Sequence, residues 1–499
     1  MGMGAGMGQT SKKVVVIGSG FGGLGTTCLL SKEGYSVTLL EKNEQLGGRA
    51  GLLEDGGFRW DMGPSWYLMP DVFEAFFETL DERVEDHLKL ERLTPGYRIF
   101  FEDGDVVDMT GDLAVDAATF DRYEMGAGEK LREYLRLSEY QYTIAMRDFV
   151  PKNYDSYRDF FTRQTIVEGP KLHVLESMDR YVGRFFTHPK LRKIIQYTLV
   201  FLGSSPYTTP ALYNIMSHVD FNLGVWYPEG GIHEVIRVLA RIAKKHGAEI
   251  RCNSPVERIL VDGGSIVGVQ TADGIMEADI VVSNADLHHT ETELLRSTDQ
   301  TLKEKYWTKR TLAPSAFIIY LGLNTTIPHL VHHNLYFCED WRTNFDSIFK
   351  QPNYPDNPSL YICCPSKTDP SVAPPGQENL FILVPVAPGL EDTPEIREQY
   401  TEHILDLVEE KLTIPGMRQH IISQHIFSIN DFASRFNSYK GSALGLAHTL
   451  RQSAVWRPNN RSKKVRNLYY VGANTNPGIG MPMCLISAQL VRKRVLYGK

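Results

Sequence analysis

The stretch KKVVVIGSGFGGLGTTCLLSKEGYSVTLLEKNEQLGGRA, Lys12 to Ala50, constrains the fold of this 499-residue chain more than any other. Val14 to Ile17 read as a fully buried strand. Gly18, Gly20 and Gly23 then make G-x-G-x-x-G. The first glycine permits a tight turn. The second lets backbone approach a pyrophosphate, and the third lets the next helix pack closely on the strand. The spacing predicts a helix from about Gly22 to Lys32, ended by Gly34, with its N-terminal amides aimed at phosphate oxygens. YSVTLLEK reads as the second strand, closed by Glu41. An acid there accepts hydrogen bonds from a ribose 2′-hydroxyl and repels a 2′-phosphate, which disfavours NADP. Gly18, Gly20, Phe21, Gly22, Gly23, Glu41 and Lys42 are therefore the expected edge of a dinucleotide site.

A chain of this length needs two or three lobes. Its formal charge of −7 argues against nucleic acid as a main partner. That charge is uneven. Residues 451–499 hold ten Lys or Arg and no acid, so the remainder carries −7 − 10 = −17. A basic segment of this kind suits a phosphate, an anionic lipid surface or plain solvation. The six cysteines show no CxxC pair, as expected of reduced thiols in a cytoplasmic protein. Residues 1–11 read as a disordered tail, without a signal peptide or a myristoylation pattern. No run of eighteen apolar residues predicts a membrane span.

Directly after the second strand come Gly47, Gly48 and Arg49, then Asp61-Met62-Gly63-Pro64-Ser65. A second glycine pair with an arginine suits a longer dinucleotide running deeper into the protein. These residues resemble the glutathione-reductase-like FAD proteins, in the branch holding amine oxidases and phytoene desaturases, where D-x-G-P-[ST] recurs. The resemblance implies an α/β Rossmann FAD-binding domain with an inserted α+β substrate domain, and FAD as cofactor. Gly48, Arg49, Gly63, Pro64 and Ser65 would contact it. Two later segments should return to this domain. Gly224 to Asp286 holds a periodic helix from Ile232 to Lys245, hairpin turns at Asp262-Gly263-Gly264 and Asp273-Gly274, and ADIVVSNAD. The family places the residue matching Val256 against adenine, and Asn284 and Ala285 close the returning strand. Asn467 to Leu496 then supplies Gly472 and Ala473 as further cofactor contacts, and Gly480 and Met481, whose amides would face the isoalloxazine or ribityl chain. The expected partition is 12–70, 224–295 and 440–499 for FAD, with 71–223 and 296–439 for substrate binding and membrane docking.

RNLYYVGANTNPGIGMP resembles the C-terminal signature of bacterial-type carotenoid desaturases, and HHNLYFC, DFASRFNSYKGSALGL and QSAVWRPNNR resemble other parts of them. The chain departs from that signature at Asn474 and Asn476, which bears on substrate and step number rather than on FAD. The resemblance implies an oxidoreductase of carotenoid biosynthesis that introduces double bonds into phytoene or a related polyene by hydride transfer to flavin N5. A terminal-methyl ketolase or a saturase is the neighbouring alternative. A prenyl-binding escort like the Rab GDP-dissociation inhibitors is the alternative from another class, and the intact glycines and Glu41 argue against it.

A hydrocarbon offers only shape and apolar area, about 0.8 kcal/mol per buried methylene. Tyr134, Tyr140, Tyr142, Phe149, Tyr154, Tyr157, Phe160 and Phe161 supply aromatic surface for a channel opening on a bilayer. The expectation is a cytoplasmic enzyme held peripherally on the membrane, with oxygen or a quinone as electron acceptor. Arg158-Asp159 resembles a family R-D pair, Asp159 steadying a cation or accepting a proton and Arg158 holding it. Glu229, in the Y-P-x-G-G turn, is expected near the flavin. His288-His289 and His332-His333 lack acids spaced for a metal, and adjacent side chains are expected to point apart, so no metal is assigned.

Overall fold

The computed structural model describes residues 11–160, 173 and 176–498. Lys13–Ile17 forms the central strand of a five-stranded parallel sheet. Ser36–Leu40 and then Glu249–Arg251 lie on one side of it, Ile280–Ser283 and then Leu468–Tyr470 on the other. Three stretches of sequence far apart thus build one sheet. Strands buried on both faces need unbroken apolar runs, and VVVI and IVVS are fully buried.

The helix after the glycine turn runs from Phe21 to Lys32. Gly18 takes φ +89°, a conformation that a side chain disfavours. A Cβ at Gly23 would collide with the Gly18 carbonyl oxygen, so strand and helix meet this closely only because residue 23 is glycine. The periodic helix is His233–Lys245, its apolar face buried with Phe21–Lys32 in one core. Met481–Tyr497 packs on the same core through Leu485, Ala488 and Val491. Val256–Asp262, Ser265–Thr271 and Gly274–Glu277 form an antiparallel three-stranded sheet with turns at the expected Asp-Gly positions.

The second lobe is a seven-stranded mixed sheet. Its order is Ile421–Phe427, Ser315–Leu323, Glu378–Val386, Leu360–Cys363, His333–Phe337, Tyr97–Phe101 and Val106–Met109. Only His333–Phe337 with Tyr97–Phe101 is a parallel pair. That pair stitches the 71–223 stretch to the 296–439 stretch. Ala127–Ile144 and its π-helical continuation Ala145–Phe149 belong to the helical part of this lobe.

The line between lobes is less sharp than residue 70. The hairpin Leu52–Asp55 and Phe58–Asp61 packs on the large sheet. Phe58 stacks on Trp60 at 5.5 Å and fills the space where a side chain at Gly322 would be. Gly23→Ala is expected to cost about 3 kcal/mol, the upper end for overpacking, seen as a lowered midpoint in urea unfolding. An unchanged midpoint would mean that the strand and helix can separate without penalty.

Candidate active site

A single cavity of about 1450 Å³ runs from the glycine turn into the second lobe. Ligand sites are usually about 300–1,000 Å³, so this one has room for a dinucleotide and a second long molecule. Its lining is mostly apolar.

At the nucleotide end the walls are Gly18, Gly20, Phe21, Gly22, Glu41, Lys42, Gly48 and Arg49. Gly63, Pro64, Ser65, Val256, Asn284, Ala285, Ala473, Gly480 and Met481 continue it. Gly23 and Gly472 lie just behind the wall. The Gly23 amide donates to Asn284 Oδ1 at 2.9 Å, and the Gly472 amide donates to Ser487 Oγ at 3.1 Å.

Glu41 is buried at 4% exposure. Its Oε2 accepts from the Ser19 amide and hydroxyl at 2.9 and 2.6 Å, and its Oε1 accepts from the Asn43 amide and side chain, both at 2.9 Å. Ser19 and Asn43 therefore fix the carboxylate, and the motif reading missed both. Lys42 turns its ammonium away to the Ser434 carbonyl at 2.7 Å and Asn437 at 3.0 Å. Arg49 is the group still in want of a partner. It lines the cavity, its Nη2 donates to Ser438 at 3.2 Å, and its Nε is buried without a partner. Burial lowers the affinity of its guanidinium for the proton. An anion at Arg49, with the amides at the N-terminus of Phe21–Lys32, would satisfy both. FAD carries such an anion in its pyrophosphate, and these residues fit it.

The C-terminal turn is held from behind. Arg457, fully buried, donates to the carbonyls of Thr475, Gln452, Leu446 and Ala473 at 2.6 to 3.1 Å. His448 Nε2 accepts from the Ile479 amide at 3.0 Å, so its Nδ1 carries the proton and donates to the Tyr213 hydroxyl at 2.6 Å. Burial keeps this imidazole neutral. Asn474 links Asp286 Oδ2, at 3.0 Å, to the Leu446 amide, at 2.9 Å. Buried Arg457 and Arg494 also account for part of the basic segment without any external partner.

Several expectations need correction. Asp159 is exposed and absent from the cavity wall. Its Oδ2 accepts from the Asp155 and Ser156 amides at 2.9 and 2.8 Å, so it pins a surface turn, and Arg158 beside it is exposed too. The adjacent pair Arg147–Asp148, joined at 2.7 Å, instead sits on the π-helical turn whose Ala145, Met146 and Phe149 line the cavity. The π-bulge signal has no simple sequence signature. Glu229 pairs with Lys89 at 2.6 Å, is 57% exposed, and lies outside the wall. Of the aromatic group, Tyr142, Phe149 and Tyr154 line the cavity, Tyr134 is core and Tyr140 is exposed. Phe161 and the side chains of Tyr157 and Phe160 lie outside the described residues.

His332 and His333 do not point apart. They stand at 4.4 Å between ring centroids, with Cys363 close enough for the three ligand-capable atoms to lie within 4.8 Å. Hydroxyls already engage them. His332 Nδ1 meets Thr368 at 2.8 Å, and His333 Nδ1 meets Tyr361 at 2.7 Å, which in turn meets Ser65 at 2.7 Å. Cys363 bonds Tyr361 and Ser65, and burial pushes its thiol up to about 12. This is a hydrogen-bonded cluster behind the wall, with Trp66 stacked on His333 at 4.1 Å.

The model for flavin-containing amine oxidoreductases matches residues 21–496. The chain belongs to that family. This flavoenzyme is similar to a carotenoid 3,4-desaturase of Haloarcula japonica, 49% identical across 96% of this chain and 97% of the relative. A zeta-carotene-forming phytoene desaturase of Myxococcus xanthus is 35% identical, across 97% and 94%. A 4,4′-diapolycopene oxygenase of Methylomonas is 33% identical, across 97% and 98%. Among solved structures, wild-type putrescine oxidase bound to putrescine superposes with a TM-score of 0.62 at 15% identity, covering 97% of this chain and 99% of that one. A Rab GDI from Plasmodium falciparum gives 0.56 at 14%, covering 98% of each. The flavoenzyme has the amine oxidase and phytoene desaturase fold, takes FAD, and is an oxidoreductase acting on CH–CH bonds.

Arg49→Met removes the guanidinium with the unpartnered Nε and should weaken FAD retention by roughly 10- to 150-fold, the loss of about 1.5–3 kcal/mol from charged hydrogen bonds. Glu41→Ala should release the cofactor as well. Visible flavin absorbance per protein after gel filtration reads both, and full colour in either variant would reject this end of the cavity as the FAD site.

Proposed function

We propose that this flavoenzyme is a carotenoid desaturase, acting on phytoene or a later long polyene. The observation that carries the reading is that the flavin end and the long apolar end are one cavity. The identities to carotenoid 3,4-desaturase and phytoene desaturase support it. The 49% relative favours a carotenoid 3,4 bond over phytoene as the point of action.

Bound FAD supplies the hydride acceptor for removing two hydrogens across a C–C bond. The protein does the rest by holding and shielding. Apolar and aromatic walls, among them Phe337, Trp341, Phe345 and Ile348, bind a hydrocarbon through area alone. Trp66 and Tyr197 line the cavity with Ser65, and their π density is available to cationic character on a polyene held there. Excluding water keeps that cation from being trapped as an alcohol.

Lys152, Arg180 and Arg184 line the same cavity as Leu450 and Trp456, each 38% exposed. Basic side chains and partly exposed apolar ones on one cavity lining suit contact with an anionic bilayer. Among the described residues no helix is long and apolar enough to cross a membrane. The enzyme is therefore read as peripheral, on the cytoplasmic face, loading polyene from lipid and passing electrons to oxygen or a quinone.

The purified yellow protein, incubated with C30 and C40 precursors and with carotenoids saturated at the 3,4 bond, in anionic liposomes, should give a red-shifted polyene by chromatography. An aldehyde product would favour the oxygenase reading, a colourless protein the escort, and a saturated product would reject desaturation.

A further inference from the structure

Desaturation releases a proton as well as a hydride, and that proton has to leave a mostly apolar cavity. Asp220 stands behind the wall on the π-helical turn His218–Leu223, next to Val219, which lines the cavity. Single π turns concentrate at functional sites. Asp220 Oδ1 accepts from the Tyr197 hydroxyl at 2.9 Å, and Oδ2 accepts from the Tyr97 hydroxyl at 2.8 Å. Tyr197 lines the main cavity and packs 6.3 Å from Trp66. Tyr97 and Asp220 line a second cavity of about 10 Å³, bounded also by Arg92, Thr110, Gly111 and Asp116. That volume holds about one water, and Arg92, which also lines it, is exposed. The carboxyl thus bridges the reaction chamber and a water-sized space at the surface.

Among the described residues no Lys, Arg or His forms an ion pair with Asp220, although it is 5% exposed. A buried carboxylate without a cation is costly, and such a group beside a cleft is a candidate for function. Burial pushes its pKa up to about 7, against the two tyrosine hydroxyls that favour the charged form.

Resting on the desaturase reading, we propose that Tyr197, Asp220 and Tyr97 are the proton outlet of the reaction. The C–H bond that breaks leaves its electron pair in the new C=C bond. The proton joins Tyr197 Oη as the tyrosine's own proton moves to Asp220 Oδ1. The neutral acid then releases a proton through the Tyr97 hydroxyl to water in the small cavity. Bound FAD would supply the acceptor for the hydride and its two electrons. Tyr197 touches the substrate, and Asp220 acts through it.

The charged or titratable groups facing Asp220 are Tyr97 from its strand, Tyr197 from the segment Tyr197–Leu202, and Asp116 from the helix Leu113–Tyr123. Arg92 lies across the small cavity, and His218 is on the same turn. Only the ionised carboxylate accepts, so kcat should fall as pH drops through about 7. The test uses flavin-loaded enzyme with carotenoid in liposomes, measured between about pH 5 and 9. Tyr197→Phe keeps the ring and removes the hydroxyl. It should lower kcat about 100-fold, the scale of one proton-transfer group, leave KM nearly unchanged, and flatten the profile. Asp220→Asn should do the same. Infrared titration of the cofactor-free protein should show protonated-carboxyl absorption lost near neutral pH, to which buried Asp61, also raised to about 7, contributes, and the wild-type minus Asp220→Asn difference should isolate a band belonging to Asp220. Wild-type kcat with the wild-type inflection in Tyr197→Phe overturns the outlet alone, as does a wild-type protein lacking the infrared band. A wild-type enzyme that desaturates no polyene rejects the underlying reading and the outlet with it.

Discussion

The side chain of Asn284 is the point on which the nucleotide lobe depends. Its Oδ1 accepts from the Gly23 amide at 2.9 Å, and its Nδ2 donates to the Val471 carbonyl at 3.0 Å. One amide thereby ties together the first helix, the fourth strand's end and the C-terminal turn. A side chain at Gly20, Gly22 or Gly472 would run into it. The glycines that admit a dinucleotide backbone also make room for this amide. Because both partners are backbone groups away from water, losing the side chain would leave two unsatisfied polar groups rather than one weaker contact.

The same economy governs the rest of the cavity wall. Glu41, Asn474, His448 and Arg457 each have their hydrogen-bonding capacity taken up by neighbours. At the nucleotide end, among the described residues, what remains open to a ligand is largely apolar surface, a few amides and the Nε of Arg49. That division suits a charged cofactor at one end and a hydrocarbon at the other. It also makes Asp220 unusual, as a carboxyl whose hydrogen-bond partners among the described residues are two phenols.

The nucleotide lobe was legible because its constraints are local. A valine strand, a glycine turn and an acid after the second strand need only a few residues each, and Phe21–Lys32 and His233–Lys245 fall within one residue of expectation. The substrate end was not, because it is assembled from residues far apart. Asp159 and Asp148 are both acids beside an arginine in an aromatic stretch. Which one sits by the cavity depends on a π-helical turn at Ala145–Phe149 that no spacing announces. His332 and His333 were expected to diverge as neighbours on a strand do. Only His333 begins the strand, and its predecessor turns back to meet Thr368. Asp220 carries no motif at all; its meaning comes from Tyr97 and Tyr197, more than twenty residues away on either side of the fold.

The outermost strand of the parallel sheet, Leu468–Tyr470, is drawn from more than 450 residues beyond the central one. Contacts of such high order are slow to form. Until those residues leave the ribosome, Ile280–Ser283 presents a bare, largely apolar edge, the kind of surface that pairs with other chains. The nucleotide sheet is therefore complete only when the last strand arrives, and a nascent chain stalled before it is left with an edge open to mispairing.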